Sequence, residues 1–159
     1  MIKEYIEKLN PWWSREFDYS WFKDREVYEG INRFIKTRQI IALTGLRRVG
    51  KTSIIKKIIK EHLDSGFSRK NIFYFSFDDF SGISLMELLN IYEEITEKKL
   101  GNEKFLFAFD EIQKLTNWSE QLKVVYDLYP SIKFIISGSE SLFIRKKSKE
   151  SLAGRIFEF

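Results

Sequence analysis

Apolar residues along this chain follow two alternating patterns. Four short runs are almost wholly apolar: Gln39 to Leu43, Asn71 to Phe77, Phe105 to Phe109 and Ile132 to Ile136. Runs of this length, rich in β-branched or aromatic residues, read as strands buried on both faces. Between them the apolar positions recur at helical spacing. Ile54, Ile55, Ile58, Ile59 and Leu63 line one side of a helix from Lys51 to about Asp64, with Lys56, Lys57 and Lys60 on the other. Gly66 closes that helix, as a glycine after the last turn does. Ser84 to Lys99 predicts a second helix, opened by Ser84 and Glu87 at capping-box spacing. Asn117 to Leu128 predicts a third, which Pro130 stops. Glu140 to about Lys147 predicts another, and Ile156 to Phe159 a last strand. Ahead of the first strand, Asp24 reads as an N-cap, and Val27, Ile31, Phe34 and Ile35 as the buried stripe of a helix ending near Thr37. The stretch from Pro11 to Phe22, with Trp12, Trp13, Phe17, Tyr19, Trp21 and Phe22, follows neither period and reads as an irregular segment laid against the core. Alternation of strands and helices predicts an α/β fold, a parallel sheet with helices on both faces.

Composition narrows the chemistry. At 159 residues, 43% of them hydrophobic, the chain is expected to form one domain with a substantial core. The absence of cysteine excludes disulfides, a thiol nucleophile and thiolate metal ligation, and a single histidine, His62, excludes a multi-histidine metal site within one chain. A net charge of +4 permits contact with nucleic acid without requiring it. Lys3, Glu4, Glu7 and Lys8 interrupt the first ten residues, so they do not read as a signal peptide. No apolar run approaches the roughly 18 residues of a membrane span. The expectation is a soluble, cytoplasmic protein that does not contact membranes.

The strongest motif lies between the first strand and the following helix. Gly45, Leu46, Arg47, Arg48, Val49, Gly50, Lys51 and Thr52 fill the pattern G-x-x-x-x-G-K-[ST]. Glycines let successive backbone N–H groups converge on one anion, and the helix start adds further donors and the positive end of its dipole. In such a loop Lys51 reaches the β- and γ-phosphates and the Thr52 hydroxyl holds Mg²⁺. The third strand runs directly into Asp110 and Glu111. There Asp110 is placed to hold Mg²⁺ through water, and Glu111 to orient and deprotonate an attacking water. The fourth strand ends in Ser137-Gly138-Ser139, where Ser137 reads either as a ligand of the γ-phosphate or the water, or as part of a plain turn. Asp78 and Asp79, after the second strand, point to the same edge and read first as structural.

"LTGLRRVGKTS", "FLFAFDEIQ", "FIISGSES" and "SLAGRIFEF", in this order and preceded by "LNPWW", resemble the archaeal and bacterial AAA-type ATPases related to the STAND group. The resemblance covers nearly the whole chain. It implies a three-layer P-loop core with strand order 5-1-4-3-2, binding ATP or ADP with Mg²⁺ through a loop that extends to Ser53. It also implies Asp110 and Glu111 as the Walker B pair, Ser137 as the sensor position and Arg155 as an arginine acting on the γ-phosphate, across a subunit boundary if the chain oligomerises. Serine departs from the asparagine or threonine commoner at that sensor position. Family members continue past Phe159 into a helical lid, so the likeness implies a core truncated before the lid and C-terminal domain.

The resulting reading is an ATPase switch acting through a homo-oligomer or protein partner. A nucleotide-dependent binding module without useful turnover is the alternative, and a small-molecule kinase a more distant one. Arg47 and Arg48, and the cluster from Arg145 to Lys149, read first as solvated charge and second as DNA or partner contacts. The aromatic segment reads first as core and second as an adenine platform.

Overall fold

The computed structural model describes residues 1–19, 25–44, 50–139, 142 and 146–159. Five strands form one sheet: β1 (Ile40–Leu43), β2 (Ile72–Ser76), β3 (Phe105–Asp110), β4 (Ile132–Ser137) and β5 (Ile156–Glu158). Their order is β2-β3-β4-β1-β5, and every pairing is parallel. This is the 5-1-4-3-2 arrangement that the family resemblance implied. The helices are α1 (Ile2–Leu9), α2 (Arg25–Asn32), α3 (Lys51–Asp64), α4 (Leu85–Thr96), α5 (Trp118–Leu128) and α6 (Lys146–Ser151). None of the helices among the described residues is long and apolar enough to cross a membrane.

Strands β1 to β4 are largely apolar on both faces, but the faces differ in kind. Because side chains alternate along a strand, Phe73, Phe75, Phe105, Phe107, Phe109 and Phe134 share one face and Ile41, Leu43, Ile72, Leu106, Ala108 and Ile135 the other. Apolar residues of α4 and α5, with Ile6 of α1 and Leu152 just after α6, cover the aromatic face, and Tyr92 of α4 packs flat on Phe73 at 5.1 Å and edge-on to Phe107 at 4.8 Å. The isoleucines of α3, with Ile31 of α2, cover the aliphatic face. Edge-to-face geometry suits the ring quadrupoles, so the stacked phenylalanines gain more than their buried area alone.

Several expectations need correction. The first ten residues contain α1, whose apolar positions Ile2, Tyr5, Ile6 and Leu9 have helical spacing. Pro11–Trp13 is a 3-10 turn, and Trp12 is fully buried. The helix expected to reach Thr37 ends at Asn32. Beyond it Lys133 donates to the carbonyls of Phe34 (2.7 Å) and Thr37 (2.8 Å) and to that of Gln39, which supplies these groups with partners outside a helix. Asn71 belongs to a turn and not to β2, with its side chain donating to the Lys104 carbonyl at 3.0 Å. The last helix runs to Ser151, past the expected end at Lys147; its predicted start at Glu140 and the Asp24 cap lie outside the described residues. On α4 the Ser84 hydroxyl accepts the Glu87 N–H at 3.1 Å as expected, while the Glu87 carboxylate takes the Ser84 hydroxyl at 3.0 Å.

β2 is an edge strand, and side chains stand in for its missing neighbour. Asn10 accepts the Tyr74 N–H at 2.7 Å and donates to the Tyr74 carbonyl at 2.9 Å. The indoles of Trp12 and Trp13 both donate to the Ile72 carbonyl, at 3.0 and 2.7 Å, and the Tyr5 hydroxyl donates to that of Ser76 at 3.3 Å. The aromatic segment thus completes the hydrogen bonding of the sheet.

Candidate functional site

Parallel strands bring all their carboxyl ends to one edge, and in such sheets that edge binds ligands. Here it gathers Thr44 after β1, Asp110 at the end of β3 and Ser137 at the end of β4, with the first turn of α3 beside them. Gly50, immediately before α3, has φ 76°, a backbone conformation that suits glycine. Lys51 is half-buried and Thr52 exposed on that first turn. The residues Gly45, Leu46, Arg47, Arg48 and Val49 lie outside the described residues.

Asp110 is the hub. Its side chain is 4% exposed and both carboxylate oxygens accept hydroxyl donors. Oδ2 receives the Thr52 hydroxyl and the Tyr74 hydroxyl, each at 2.6 Å, and Oδ1 receives the hydroxyl of Ser137. Hydrogen bonds to an ionised acceptor are the strong ones, and this set fixes the carboxylate against rotation. Ser137 is fully buried, and its oxygen accepts the Glu111 N–H at 3.0 Å. Its hydroxyl therefore ties the two acidic residues together. Glu111 lies at φ 54° in the left-handed region, where the chain turns off β3 into the 3-10 turn Ile112–Lys114. Gln113 Nε2 donates to Glu111 Oε2 at 2.6 Å. The other amide atom, Gln113 Oε1, is buried without a partner among the described residues, and a Cβ on Gly138 would stand 2.9 Å from it.

Lys56 was expected on the solvated side of α3. It lies instead with its ammonium 4.4 Å from the Tyr74 ring centroid, 5.6 Å from that of Trp12 and 5.9 Å from that of Phe17. Burial pushes its pKa down, and the nearby Asp110 charge opposes that shift. Burial raises the Tyr74 pKa, with Asp110 adding to the effect, so the phenol stays protonated and donates. Neither Tyr74 nor Gln113 was singled out from the sequence. Tyr74 carried a faint signal, being the hydroxyl-bearing ring in a strand otherwise of isoleucine, phenylalanine and serine.

The remaining sequence candidates lie elsewhere. Arg155 sits at the opposite, amino-terminal edge: its carbonyl accepts the Ile40 N–H at 2.7 Å, and its guanidinium pairs with Asp127 at 3.1 Å. From Ile40 to Thr44 the strand rises about 13 Å, so Arg155 does not reach this chain's own Asp110 edge. Asp78 pairs with Lys114. His62 bonds the Ile58 carbonyl at 2.8 Å and packs edge-on to Phe67, a structural setting. Ser53 is half-buried behind Gly50. Of the basic cluster, Arg145 lies outside the described residues and Lys149 is exposed.

The donor set suits one kind of cation. No cluster of three or more histidine, cysteine, aspartate or glutamate side chains able to hold a metal occurs among the described residues. Thr52 and Asp110 present oxygens only, within 2.6 Å of each other. A site with so few protein ligands fits Mg²⁺, which keeps several waters and takes its remaining ligands from phosphates.

Known proteins place this architecture. The chain is 32% identical over 136 residues to the uncharacterized protein MJ1637 of Methanocaldococcus jannaschii, covering 83% of this chain and 27% of that one. A second uncharacterized protein of that organism, MJ1544, is 34% identical over 131 residues, covering 79% and 27%. An uncharacterized Haemophilus influenzae protein is 28% identical over 138 residues, covering 84% and 34%. The chain therefore spans about a quarter to a third of the length of these relatives. Among solved structures, the Walker-type ATPase PABY2304 of Pyrococcus abyssi superposes with a TM-score of 0.51 at 16% identity, covering 86% of this chain and 54% of that one, a likeness of fold. The sequence profile of the AAA domain family matches residues 37–159, and the chain belongs to that family.

Proposed function

We propose that this domain binds ATP with Mg²⁺ and hydrolyses it, acting as a nucleotide switch of the STAND-related kind whose output passes to a protein partner. The observation that carries the reading is the convergence of Thr52, Ser137 and Tyr74 on the Asp110 carboxylate, at the sheet edge where α3 begins. In this reading the loop from Gly45 to Ser53 wraps the phosphates with backbone N–H groups and Lys51 neutralises the β- and γ-phosphoryl oxygens. Thr52 and Asp110 hold Mg²⁺, which when bound would offset charge on the same oxygens. Glu111 takes the proton of the attacking water. Ser137 keeps Glu111 in register with Asp110, a role that uses the hydrogen bonds it makes here in place of a direct phosphate contact. Arg155 serves only in trans, since it lies at the far edge of its own sheet.

Calorimetry with Mg²⁺ and a slowly hydrolysed ATP analogue tests the binding, and phosphate release tests the turnover. Lys51→Ala is expected to abolish binding, and Glu111→Gln to keep binding while losing at least about 100-fold in turnover. Equal turnover in wild type and Glu111→Gln would sink the water-activation role. One observation favours the alternative, a binding module without useful turnover: the Gln113 amide already occupies a Glu111 carboxylate oxygen at 2.6 Å. Nucleotide binding with no phosphate release at any protein concentration supports that alternative.

A further inference from the structure

Of the three hydroxyls on Asp110, one comes from neither the phosphate-loop helix nor a strand tip. Tyr74 lies in the middle of β2, in register with Ala108, on the aliphatic face beneath α3. A phenylalanine would fill the same space, so packing alone does not call for the hydroxyl. That hydroxyl donates at 2.6 Å to Oδ2, the oxygen that also takes the Thr52 hydroxyl. Two further elements fix the residue behind it. Asn10 clamps the Tyr74 backbone by both its N–H and its carbonyl, and the Lys56 ammonium lies over the ring, one helical turn beyond Thr52.

We propose that Tyr74 is a positioning residue of the metal site: it holds Asp110 Oδ2 so that the Thr52 hydroxyl keeps pointing its hydrogen at the carboxylate and its lone pairs outward to the cation. The inference rests on the Mg²⁺–nucleotide reading above. A hydroxyl has one hydrogen and two lone pairs, so a threonine that donates inward accepts outward. With Tyr74 removed, Oδ2 keeps only Thr52 and the carboxylate gains freedom to turn. Outer partners of this kind are commonly worth 10- to 100-fold in metal affinity. Because Ser137 still holds Oδ1, the lower end of that range is expected here.

The test follows the fluorescence of mant-ADP bound to the full chain, first in EDTA and then during Mg²⁺ titration, with Mn²⁺ binding read by electron paramagnetic resonance. Tyr74→Phe is expected to keep the EDTA affinity within about twofold and to need about tenfold more Mg²⁺ at the midpoint, with a matching loss of Mn²⁺ affinity. Trp13→Phe removes a hydrogen bond from the same strand edge, at Ile72, and is expected to lower stability while leaving the Mg²⁺ midpoint unchanged. A Tyr74→Phe midpoint within about twofold of wild type overturns the assignment, as does an equal shift in Trp13→Phe. A Tyr74→Phe chain that fails to fold by circular dichroism overturns it too, because the hydroxyl would then serve the fold. If wild type binds no mant-ADP with or without Mg²⁺, the nucleotide reading falls and this inference with it. An unshifted Tyr74→Phe beside a binding wild type removes only the role of Tyr74.

Discussion

Replacing Asn10 by alanine is the sharpest perturbation of the fold that the structure suggests. Asn10 is 1% exposed, and its amide makes three hydrogen bonds, two to the Tyr74 backbone and one to the Ile6 carbonyl at 2.7 Å. Truncation leaves the Tyr74 N–H and carbonyl without partners on a strand buried along its whole length. A buried polar group stripped of its partner costs roughly 1–3 kcal/mol. Partial entry of water into the space left by the amide offsets some of this, so the expected loss is about 3 kcal/mol. With a urea slope of about 2 kcal/mol per molar, the unfolding midpoint falls by about 1.5 M. Asn10→Asp is expected to be at least as damaging at neutral pH, because it keeps an acceptor for the N–H but turns a second acceptor on the Tyr74 carbonyl. Equilibrium unfolding followed by tryptophan fluorescence measures both. A loss below about 1 kcal/mol for Asn10→Ala would refute the claim that side chains complete this strand's hydrogen bonding.

Two further outcomes follow from the same geometry. In Gly138→Ala the new Cβ would lie 2.9 Å from both Gln113 Oε1 and Leu142 Cδ1. That overpacking is expected to cost about 1–3 kcal/mol in urea unfolding and, by displacing the Gln113 that holds Glu111, to change turnover more than substrate affinity; a change within about 0.5 kcal/mol would show that the contact yields freely. Burial pushes the Lys133 ammonium down to about 8, below the unfolded lysine value of about 10.4. Between those values the unfolded chain binds more protons, so Lys133 makes stability rise as pH climbs from about 8 towards 10. Lys133→Met is expected to flatten that rise in the pH dependence of the urea midpoint, and an identical slope in the variant would contradict the assignment.

The features legible in the sequence were those encoded by a long local pattern. The isoleucine stripe of α3 and the apolar runs of β3 and β4 are set by neighbours a few residues away, so their place could be read directly. Asp110 and Ser137 were legible as strand tips for the same reason. What escaped depends on partners distant in sequence. The Tyr74 hydroxyl reaches Asp110 across 36 positions and Asn10 reaches Tyr74 across 64. An asparagine before a proline reads as a turn residue whatever its side chain touches. Lys56 misled because a lysine on a helix reads as solvated, whereas three aromatic rings from the amino-terminal segment and β2 surround it. α1 was readable from Ile2, Tyr5, Ile6 and Leu9, but its charged residues drew attention to what it was not.

The way β2 is finished also determines how the sheet can grow. A strand approaching β2 from outside meets Ile72, Tyr74 and Ser76 with their outward carbonyls taken and the Tyr74 N–H already accepted. Tyr5, Asn10, Trp12 and Trp13 give that rim the chemical state of an interior strand without its shape, so no ladder of free main-chain groups invites a second molecule. The rim at β5 carries no such guard among the described residues: its three residues pair with β1 on one side only. At β2, then, pairing with a strand of a second molecule is closed off by side chains of the same chain, and among the described residues the two margins of the sheet differ in this respect.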